Sequence, residues 1–91
     1  MPDIDIMLYT LSTCPWCRKT KKFFDERGLV YHFLDIDTLG RKDRQAARDK
    51  IVELVGSLQY PVAVINGAAV QGYNPDTFAD LLKQAGWTSE G

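Results

Sequence analysis

Both cysteines of this 91-residue chain lie in one tetrapeptide, Cys14-Pro15-Trp16-Cys17, and no other feature constrains the fold as strongly. Residues 4–10, before the tetrapeptide, are rich in strand formers, and residues 15–27 repeat apolar side chains at helical spacing. A Cys-x-x-Cys pair that follows a strand and opens a helix is typical of a thiol–disulfide redox site. We therefore expect Cys14 at the start of a helix and Cys17 one turn inside it.

Composition excludes several other kinds of site. Two cysteines and one histidine cannot supply four zinc ligands from one chain, and a disulfide-stapled secreted scaffold needs more cysteines. A balance of 11 basic and 12 acidic residues gives a net charge of −1, which predicts no binding to nucleic acid or to an anionic membrane surface. No apolar run approaches the ~18 residues of a membrane helix, and the first residues do not resemble a signal peptide. We expect a cytoplasmic protein, in which a cysteine pair more commonly does chemistry than stapling.

The remaining pattern predicts a single domain over residues 1–91, with a core over about 4–85 and a loose tail from Trp87. Asn66-Gly67 is typical of a tight hairpin turn, because both residues tolerate a positive φ. Asn74 is predicted to cap the last helix, with Pro75 at its first position. The second strand is apolar enough to be covered on both faces. The predicted order is β-α-β-α-β-β-α, with strands at 4–10, 30–36, 61–65 and 68–71 and helices at 15–27, 41–58 and 75–85. Gly56 is expected to end the regular part of the second helix.

Three polar residues near the second strand have ordinary interpretations. His32 lies among apolar residues, which favours a core or sheet-surface histidine over a catalytic base. Asp35 and Asp37 end the strand, where solvated carboxylates are expected. The alternative for Asp35 is a buried proton acceptor.

The start of the first helix favours a reactive thiol at position 14. Free backbone N–H groups and the helix dipole stabilise a thiolate there, and thiolate is the reactive form of cysteine. Pro15 suits the first helical position because its missing N–H would have had no partner. Trp16 is predicted to be exposed beside Cys14. The basic residues of the first turns add positive potential; they are Arg18, Lys19, Lys21 and Lys22.

These placements predict a two-step exchange. Cys14 thiolate attacks a substrate disulfide, and the more buried Cys17 or an external thiol then attacks the mixed disulfide and releases the reduced product. Three other interpretations of the pair remain open: half of a zinc site completed by a second chain, an inert structural pair, and ligation of an iron–sulfur cluster.

Several motifs together resemble the glutaredoxins. They are Leu8-Tyr9-Thr10, Cys14-Pro15-Trp16-Cys17-Arg18-Lys19, Tyr60-Pro61 before an apolar strand, and Gly72-Tyr73 before the last helix. The resemblance covers residues 4 to about 85, and the predicted element order independently matches the thioredoxin-like α/β fold. That fold has a four-stranded mixed sheet flanked by three helices.

The resemblance also implies a binding site and a cosubstrate. Tyr60-Pro61 would be a cis peptide facing the cysteines, and the backbone of Tyr60 would pair with a thiol peptide such as glutathione. Gly72 would allow that peptide to approach closely, and the start of the last helix would face its γ-glutamyl carboxylate. No cofactor is expected to bind tightly, and no metal is expected. The implied binding residues are Thr13, Pro15, Trp16, Tyr60, Pro61, Gly72, Tyr73, Asn74 and Asp76.

Two departures leave the reductant open between two systems. Glutathione-using glutaredoxins usually have a lysine where this chain has Leu11. The segment from Gly72 to Asp76 is similar to the glutaredoxin-like hydrogen donors of ribonucleotide reductase, which take electrons from thioredoxin reductase. We expect a monomer that reduces disulfide-containing proteins or glutathione mixed disulfides, with glutathione or thioredoxin reductase as the electron source. A glutathione-assisted iron–sulfur carrier is the third alternative.

Overall fold

The computed structural model describes residues 4–87 and confirms the predicted order of strands and helices. A short 3-10 turn, Ile36–Thr38, follows the second strand. The strands are β1 Ile6–Thr10, β2 His32–Asp35, β3 Val62–Ile65 and β4 Ala68–Gln71, and the helices are α1 Pro15–Glu26, α2 Arg41–Val55 and α3 Pro75–Gln84.

The four strands form one mixed sheet in the order β2-β1-β3-β4. β1 and β2 run parallel, with Thr10 opposite Asp35. β1 and β3 run antiparallel, as do β3 and β4, so β1 and β3 are central and the four-residue strands β2 and β4 form the edges. The central position of β1 fixes the loop that follows it, which carries Cys14.

The sheet separates two hydrophobic clusters of different composition. The first is aromatic: the rings of Phe23 and Phe24 on α1 meet Phe78 of α3 at centroid distances of 5.4 and 5.5 Å. The second cluster, beside α2, is built from the buried residues Ile36, Ala47, Ile51 and Val62. Alternation along β3 supplies both clusters, because successive side chains point to opposite faces of a strand. Ala63 and Ile65 belong to the first cluster, and Val62 belongs to the second.

Turns and helix ends follow the sequence closely. Asn66 and Gly67 both have positive φ, 47° and 86°, and connect β3 to the antiparallel β4 as predicted. α2 ends at Val55 because Gly56 takes a left-handed conformation at φ 82°. The helical pattern of the sequence continues to residue 58, and the prediction that Gly56 ends the regular part of the helix is confirmed.

The prediction that the second strand is covered on both faces was wrong. β2 spans only His32–Asp35, lies at an edge, and exposes both His32 and Phe33. Val30 lies before the strand and is 82% exposed. β3 pairs with the other side of β1, so among the described strands β2 pairs only with β1. The apolar residues of the second strand do not by themselves indicate this strand order.

Trp87 is not part of a loose tail. It packs, partly buried, against the aromatic cluster, and its N–H donates to the carbonyl of Leu82 at 2.9 Å. The rest of the predicted tail, 88–91, lies outside the described residues. Among residues 4–87, no helix has both the length and the apolar character needed to cross a bilayer.

Candidate active site

The loop between β1 and α1 places Cys14 at the start of the helix, as predicted. Cys14 is the N-cap residue, with an extended backbone at φ −84° and ψ 119°, and Pro15 is the first helical residue. The Cys14 N–H donates to Leu11 O at 3.2 Å, and the Cys14 carbonyl accepts from Arg18 N at 3.2 Å. These two bonds fix the backbone on both sides of a partly exposed sulfur.

Cys17 lies one turn further into α1 and is fully buried, which confirms the predicted difference in burial between the two thiols. Leu11 N–H donates to Cys17 Sγ at 3.5 Å. Burial raises the pKa of the Cys17 thiol to about 12; the hydrogen bond from Leu11 and the charge of Lys21 oppose the rise, and Cys14 adds to it. Cys17 therefore stays protonated at neutral pH in the reduced protein.

The loop before β3 brings Tyr60 and Pro61 to the same region. Their peptide bond is cis, as the resemblance implied. Burial raises the pKa of the Tyr60 phenol, the charge of Arg48 opposes that rise, and Cys17 adds to it. Tyr60 lines one cavity together with Arg48 of α2. Gly72 N–H donates to Pro61 O at 2.7 Å. Within residues 4–87, neither backbone polar group of Tyr60 has a hydrogen-bonding partner.

Two aromatic rings border the site on the opposite side. Trp16 is 54% exposed, as predicted, and stacks on Tyr73 with ring centroids 5.9 Å apart. The ammonium of Lys19 lies 4.5 Å above the indole, and Tyr73 meets Phe78 edge to face. The stacked rings therefore join the start of α1 to the segment before α3.

The basic residues of α1 do not act as one cluster. Lys19 covers Trp16, and Lys22 faces Glu26 at 3.7 Å on the exposed side of the helix. Lys21 alone of the three turns inward, to Asp35 at 3.1 Å. Its charge acts on Cys17.

Asp35 is not a solvated carboxylate, so that prediction was wrong. Its side chain is 18% exposed, accepts from Lys21 Nζ, and accepts from the hydroxyl of the fully buried Thr10. The parallel register of β1 and β2 brings Thr10 opposite Asp35, a pairing that neither segment predicts alone. His32 is exposed on the same edge strand, in agreement with a sheet-surface histidine.

Asp37 is exposed, as predicted, and accepts hydrogen bonds from the loop that carries Cys14. Ser12 donates to it from both its backbone N–H and its hydroxyl. These hydrogen bonds from Ser12 lower the pKa of the Asp37 carboxyl. The link joins the β1–α1 loop to the 3-10 turn after β2.

A groove beside the site contains two arginines that are not among the predicted site residues. Arg44 and Arg48 of α2 line a cavity of about 330 Å³ together with Leu11, Asp37 and Tyr60. Arg44 is held by a bond from Nη2 to Leu39 O at 3.1 Å. The available signal was their four-residue spacing, which places two side chains on one side of a helix.

The start of α3 differs from the prediction at Asn74. Asn74 is the N-cap residue, but among the described residues its side chain makes no capping bond. Its amide instead donates from Nδ2 to Gln71 O at 3.0 Å. Gly72 has φ +86°, and an added Cβ would meet only Asn74 Nδ2 at 3.8 Å, so backbone conformation rather than crowding requires the glycine. Asp76 is exposed in the first turn.

The structure therefore brings some of the predicted site residues together and places others at the edge of the site. Cys14 and Cys17 share α1, and the site is bordered by Tyr60-Pro61 and by the Trp16–Tyr73 stack. Thr13 is exposed in the loop just before Cys14. Within residues 4–87, no three His, Cys, Asp or Glu side chains converge as a metal site would require.

Comparison with known proteins finds a matching family and similar solved structures. A family model described as Glutaredoxin matches residues 6–70. Glutaredoxin 1 of Rickettsia felis is 32% identical over 79 residues, covering 87% of this chain and 72% of the relative. The crystal structure of a glutaredoxin from Archaeoglobus fulgidus superimposes with a TM-score of 0.81 at 32% identity, covering 86% of this chain and 85% of that one. These matches confirm the thioredoxin-like fold that the element order predicted.

A second solved structure is also similar. The glutaredoxin-like NrdH-redoxin from Escherichia coli, whose activity profile is described as thioredoxin-like, has a TM-score of 0.67 at 26% identity. The match covers 85% of this chain and 93% of that protein. The chain thus resembles both a solved glutaredoxin and a solved glutaredoxin-like redoxin.

Proposed function

The chain belongs to the glutaredoxin family of thiol–disulfide oxidoreductases, and from that premise we propose that Cys14 is its nucleophile and Cys17 its resolving thiol. One observation carries the assignment: the two sulfurs lie one helical turn apart, Cys14 partly exposed at the N-cap and Cys17 fully buried. A substrate sulfur can reach the first directly. Only a sulfur already attached to Cys14 is within reach of the second.

The reaction then has two balanced steps. Cys14 thiolate attacks one sulfur of a substrate disulfide, forms a Cys14–substrate bond, and expels the other sulfur as a thiolate. Cys17 loses its proton and attacks Cys14 Sγ, so the mixed disulfide breaks and the second substrate sulfur leaves. The substrate disulfide gains two electrons, and the protein ends as a Cys14–Cys17 disulfide.

The position of Cys14 favours its role in the first step. The unpaired N–H groups of the first turn and the dipole of α1 favour negative charge at the N-cap. The raised pKa keeps Cys17 protonated at this stage, so it does not compete for the substrate. The difference in burial thus sets the order in which the thiols act.

The substrate is proposed to lie across Tyr60 and Pro61. The free backbone groups of Tyr60 can pair in β fashion with an extended thiol peptide such as glutathione. Arg44 and Arg48 line the adjoining groove next to Leu11 and supply cations for a peptide carboxylate. On the other side, Trp16 and Tyr73 offer an apolar surface to the rest of a protein substrate.

Electron supply by thioredoxin reductase is the second candidate, and the start of α3 favours it. Pro75 has no N–H to offer a γ-glutamyl carboxylate, and Asp76 already places a negative charge in the first turn. The likeness to NrdH-redoxin supports the same alternative. In this case the groove beside Tyr60 would receive a segment of the reductase.

A comparison of reductants on one disulfide substrate tests the proposal. Purified protein is supplied with NADPH and either glutathione with glutathione reductase, or thioredoxin reductase alone, and NADPH oxidation is followed. Glutathione-linked turnover by the wild type and none by Cys14→Ser is the result we expect. Full turnover by Cys14→Ser would end the assignment of the nucleophile, and turnover only with thioredoxin reductase would establish the second candidate.

Arg48→Met is the variant that tests the groove. We expect a severalfold higher KM for glutathione with little change in kcat, because the groove loses a cation that touches the cosubstrate but not the sulfurs. Arg41→Met is the matched control: it removes the same charge from the exposed start of α2, outside the groove lining. An unchanged KM in Arg48→Met would remove Arg48 from the binding site.

A further inference from the structure

We propose that Lys21, fixed against Asp35 beneath the site, is a positioning residue that favours the thiolate form of Cys17 during the resolving step. The inference rests on the proposed roles of Cys14 and Cys17. The basic residues of α1 were expected to act on Cys14, but Lys21 turns inward to Asp35, and its charge lowers the pKa of the Cys17 thiol. Lys21 therefore provides a positive charge at one defined position, in addition to the general positive potential of α1.

Lys21 shares a face of α1 with the buried thiol. It lies four residues after Cys17, a spacing that brings two side chains to the same side of a helix. Its side chain is only 22% exposed. Its ammonium lies 3.1 Å from Asp35 Oδ1 and 4.0 Å from the ring centroid of Phe33. The charge is therefore held in a partly dehydrated place, where it acts more strongly than a surface lysine does.

Asp35 is itself held in place. The register of the parallel strands puts it opposite Thr10, whose fully buried hydroxyl donates to the same Oδ1 that accepts from Lys21. β1, β2 and α1 thus meet at one carboxylate oxygen. A lysine fixed in this way pays less entropy to stay near the thiol than a free surface lysine would.

The groups that face Cys17 come from each element around it. Cys14 at the N-cap and burial disfavour its thiolate, whereas the Leu11 N–H and Lys21 favour it. The charge of Cys17 in turn raises the pKa of Tyr60, which lies in the loop before β3. Among these groups the cation is Lys21.

The need for such a cation arises in the second step. When Cys14 is in a mixed disulfide, its sulfur carries no charge, and Cys17 must still lose its proton inside the protein. The proton goes to a solvent base, the Cys17 thiolate attacks Cys14 Sγ, and the substrate leaves as a thiolate. The Lys21 ammonium stabilises the negative charge while it resides on Cys17.

A chromogenic disulfide separates the two steps. Excess reduced protein reacts with dithiobis-nitrobenzoate: attack by Cys14 releases the first thionitrobenzoate, and attack by Cys17 releases the second. Lys21→Gln keeps a donor for Asp35 but removes the charge. We expect its second release to be about tenfold slower at pH 7 and its pH profile to move up by about one unit, because one pKa unit is a tenfold change in thiolate fraction.

Lys22→Gln is the matched control, since it removes the same charge one residue along α1, where Lys22 is exposed and faces Glu26. It should release the second thionitrobenzoate at the wild-type rate. Lys21→Arg retains the charge and should keep most of that rate, which a purely structural role of the lysine would not require.

Three results would overturn the inference. Wild-type resolution by Lys21→Gln at every pH would show that the charge is not used. Equal slowing in Lys22→Gln would reduce the effect to general surface potential. Failure of the wild-type protein to release any second thionitrobenzoate would instead overturn the proposed roles of the cysteines, and the inference with them.

Discussion

The helices α1 and α3 begin with a similar local structure but carry different side chains at their first positions. α1 and α3 both have proline as their first residue, and in neither does the preceding side chain make a capping bond within residues 4–87. The N-cap is Cys14 in one helix and Asn74 in the other. The second helical residue is Trp16 in α1 and Asp76 in α3.

The difference lies in what occupies the positive end of each helix. The first turn of α1 has no acidic residue in its sequence, so its positive end is left for the Cys14 sulfur. In α3 the carboxylate of Asp76 already uses that position. The Asn74 amide also turns back to Gln71 O and away from the helix. We therefore expect the start of α1 to favour a thiolate and the start of α3 to disfavour an anion, because the neighbouring side chain differs.

The strongest test moves the cysteine from the start of α1 to the start of α3. In Cys14→Ser we expect disulfide reduction to fall to the uncatalysed rate. Adding Asn74→Cys to that variant should not restore it, because the introduced thiol lies beside Asp76 and far in sequence from Cys17. Turnover assays with glutathione measure both. Recovery of activity in the double variant would show that any thiol at a proline-started helix is sufficient.

A second prediction compares the two thiols within α1 through their pH dependence. Because burial raises the pKa of Cys17 to about 12, only the deprotonated minority attacks at neutral pH. The resolving rate should therefore rise with pH, about tenfold per unit and so about a hundredfold from pH 6 to pH 8. Single-turnover release of the second product group measures it. A flat profile over this range would contradict the assignment of Cys17.

A smaller effect is expected when α1 is made to resemble α3. Trp16→Asp places a carboxylate at the position that Asp76 occupies in α3. We expect alkylation of Cys14 by iodoacetamide at pH 7 to slow about five- to tenfold, because like charge at the helix start disfavours the thiolate. Trp16→Asn removes the same ring without a charge and serves as the control. Equal slowing in both variants would assign the effect to the lost indole.

The smallest effect is expected for the reverse change. Asp76→Asn removes the carboxylate from α3 and makes its start more receptive to an anion. We expect the KM for glutathione to fall about two- to threefold, within the range of an exposed charge at a helix end. The control is Asp80→Asn, which makes the same change further along α3, where the side chain is exposed. An equal fall in the control would remove the helix start from the explanation.

Local features of the sequence predicted most of the fold and the core of the site. The order of elements, the Asn66-Gly67 turn and the difference in burial between Cys14 and Cys17 all follow from short patterns. Each depends on residues within one turn or one strand. The cis Tyr60-Pro61 bond did not follow from the residues alone and came from the glutaredoxin resemblance.

The features that sequence reasoning missed all depend on contacts between distant segments. Asp35 looked solvated because its partners, Thr10 and Lys21, come from a strand and a helix earlier in the chain. The apolar residues around β2 were predicted to be buried. Nothing in those residues indicates that β3 pairs with the other side of β1 and leaves β2 at the edge of the sheet. Trp87 looked loose because the surface that it covers is formed by the aromatic cluster.

The two four-residue edge strands have a consequence for how this sheet meets other chains. An open edge presents unpaired N–H and C=O groups to which a foreign strand can add. Here β2 ends in a 3-10 turn, and β4 is bounded by a hairpin and by Gly72, whose φ is +86°. An added strand could extend the ladder for only about four residues, about the lower limit of ordinary strand length. The shortness of both edge strands thus limits the pairing that a foreign chain could form with this sheet.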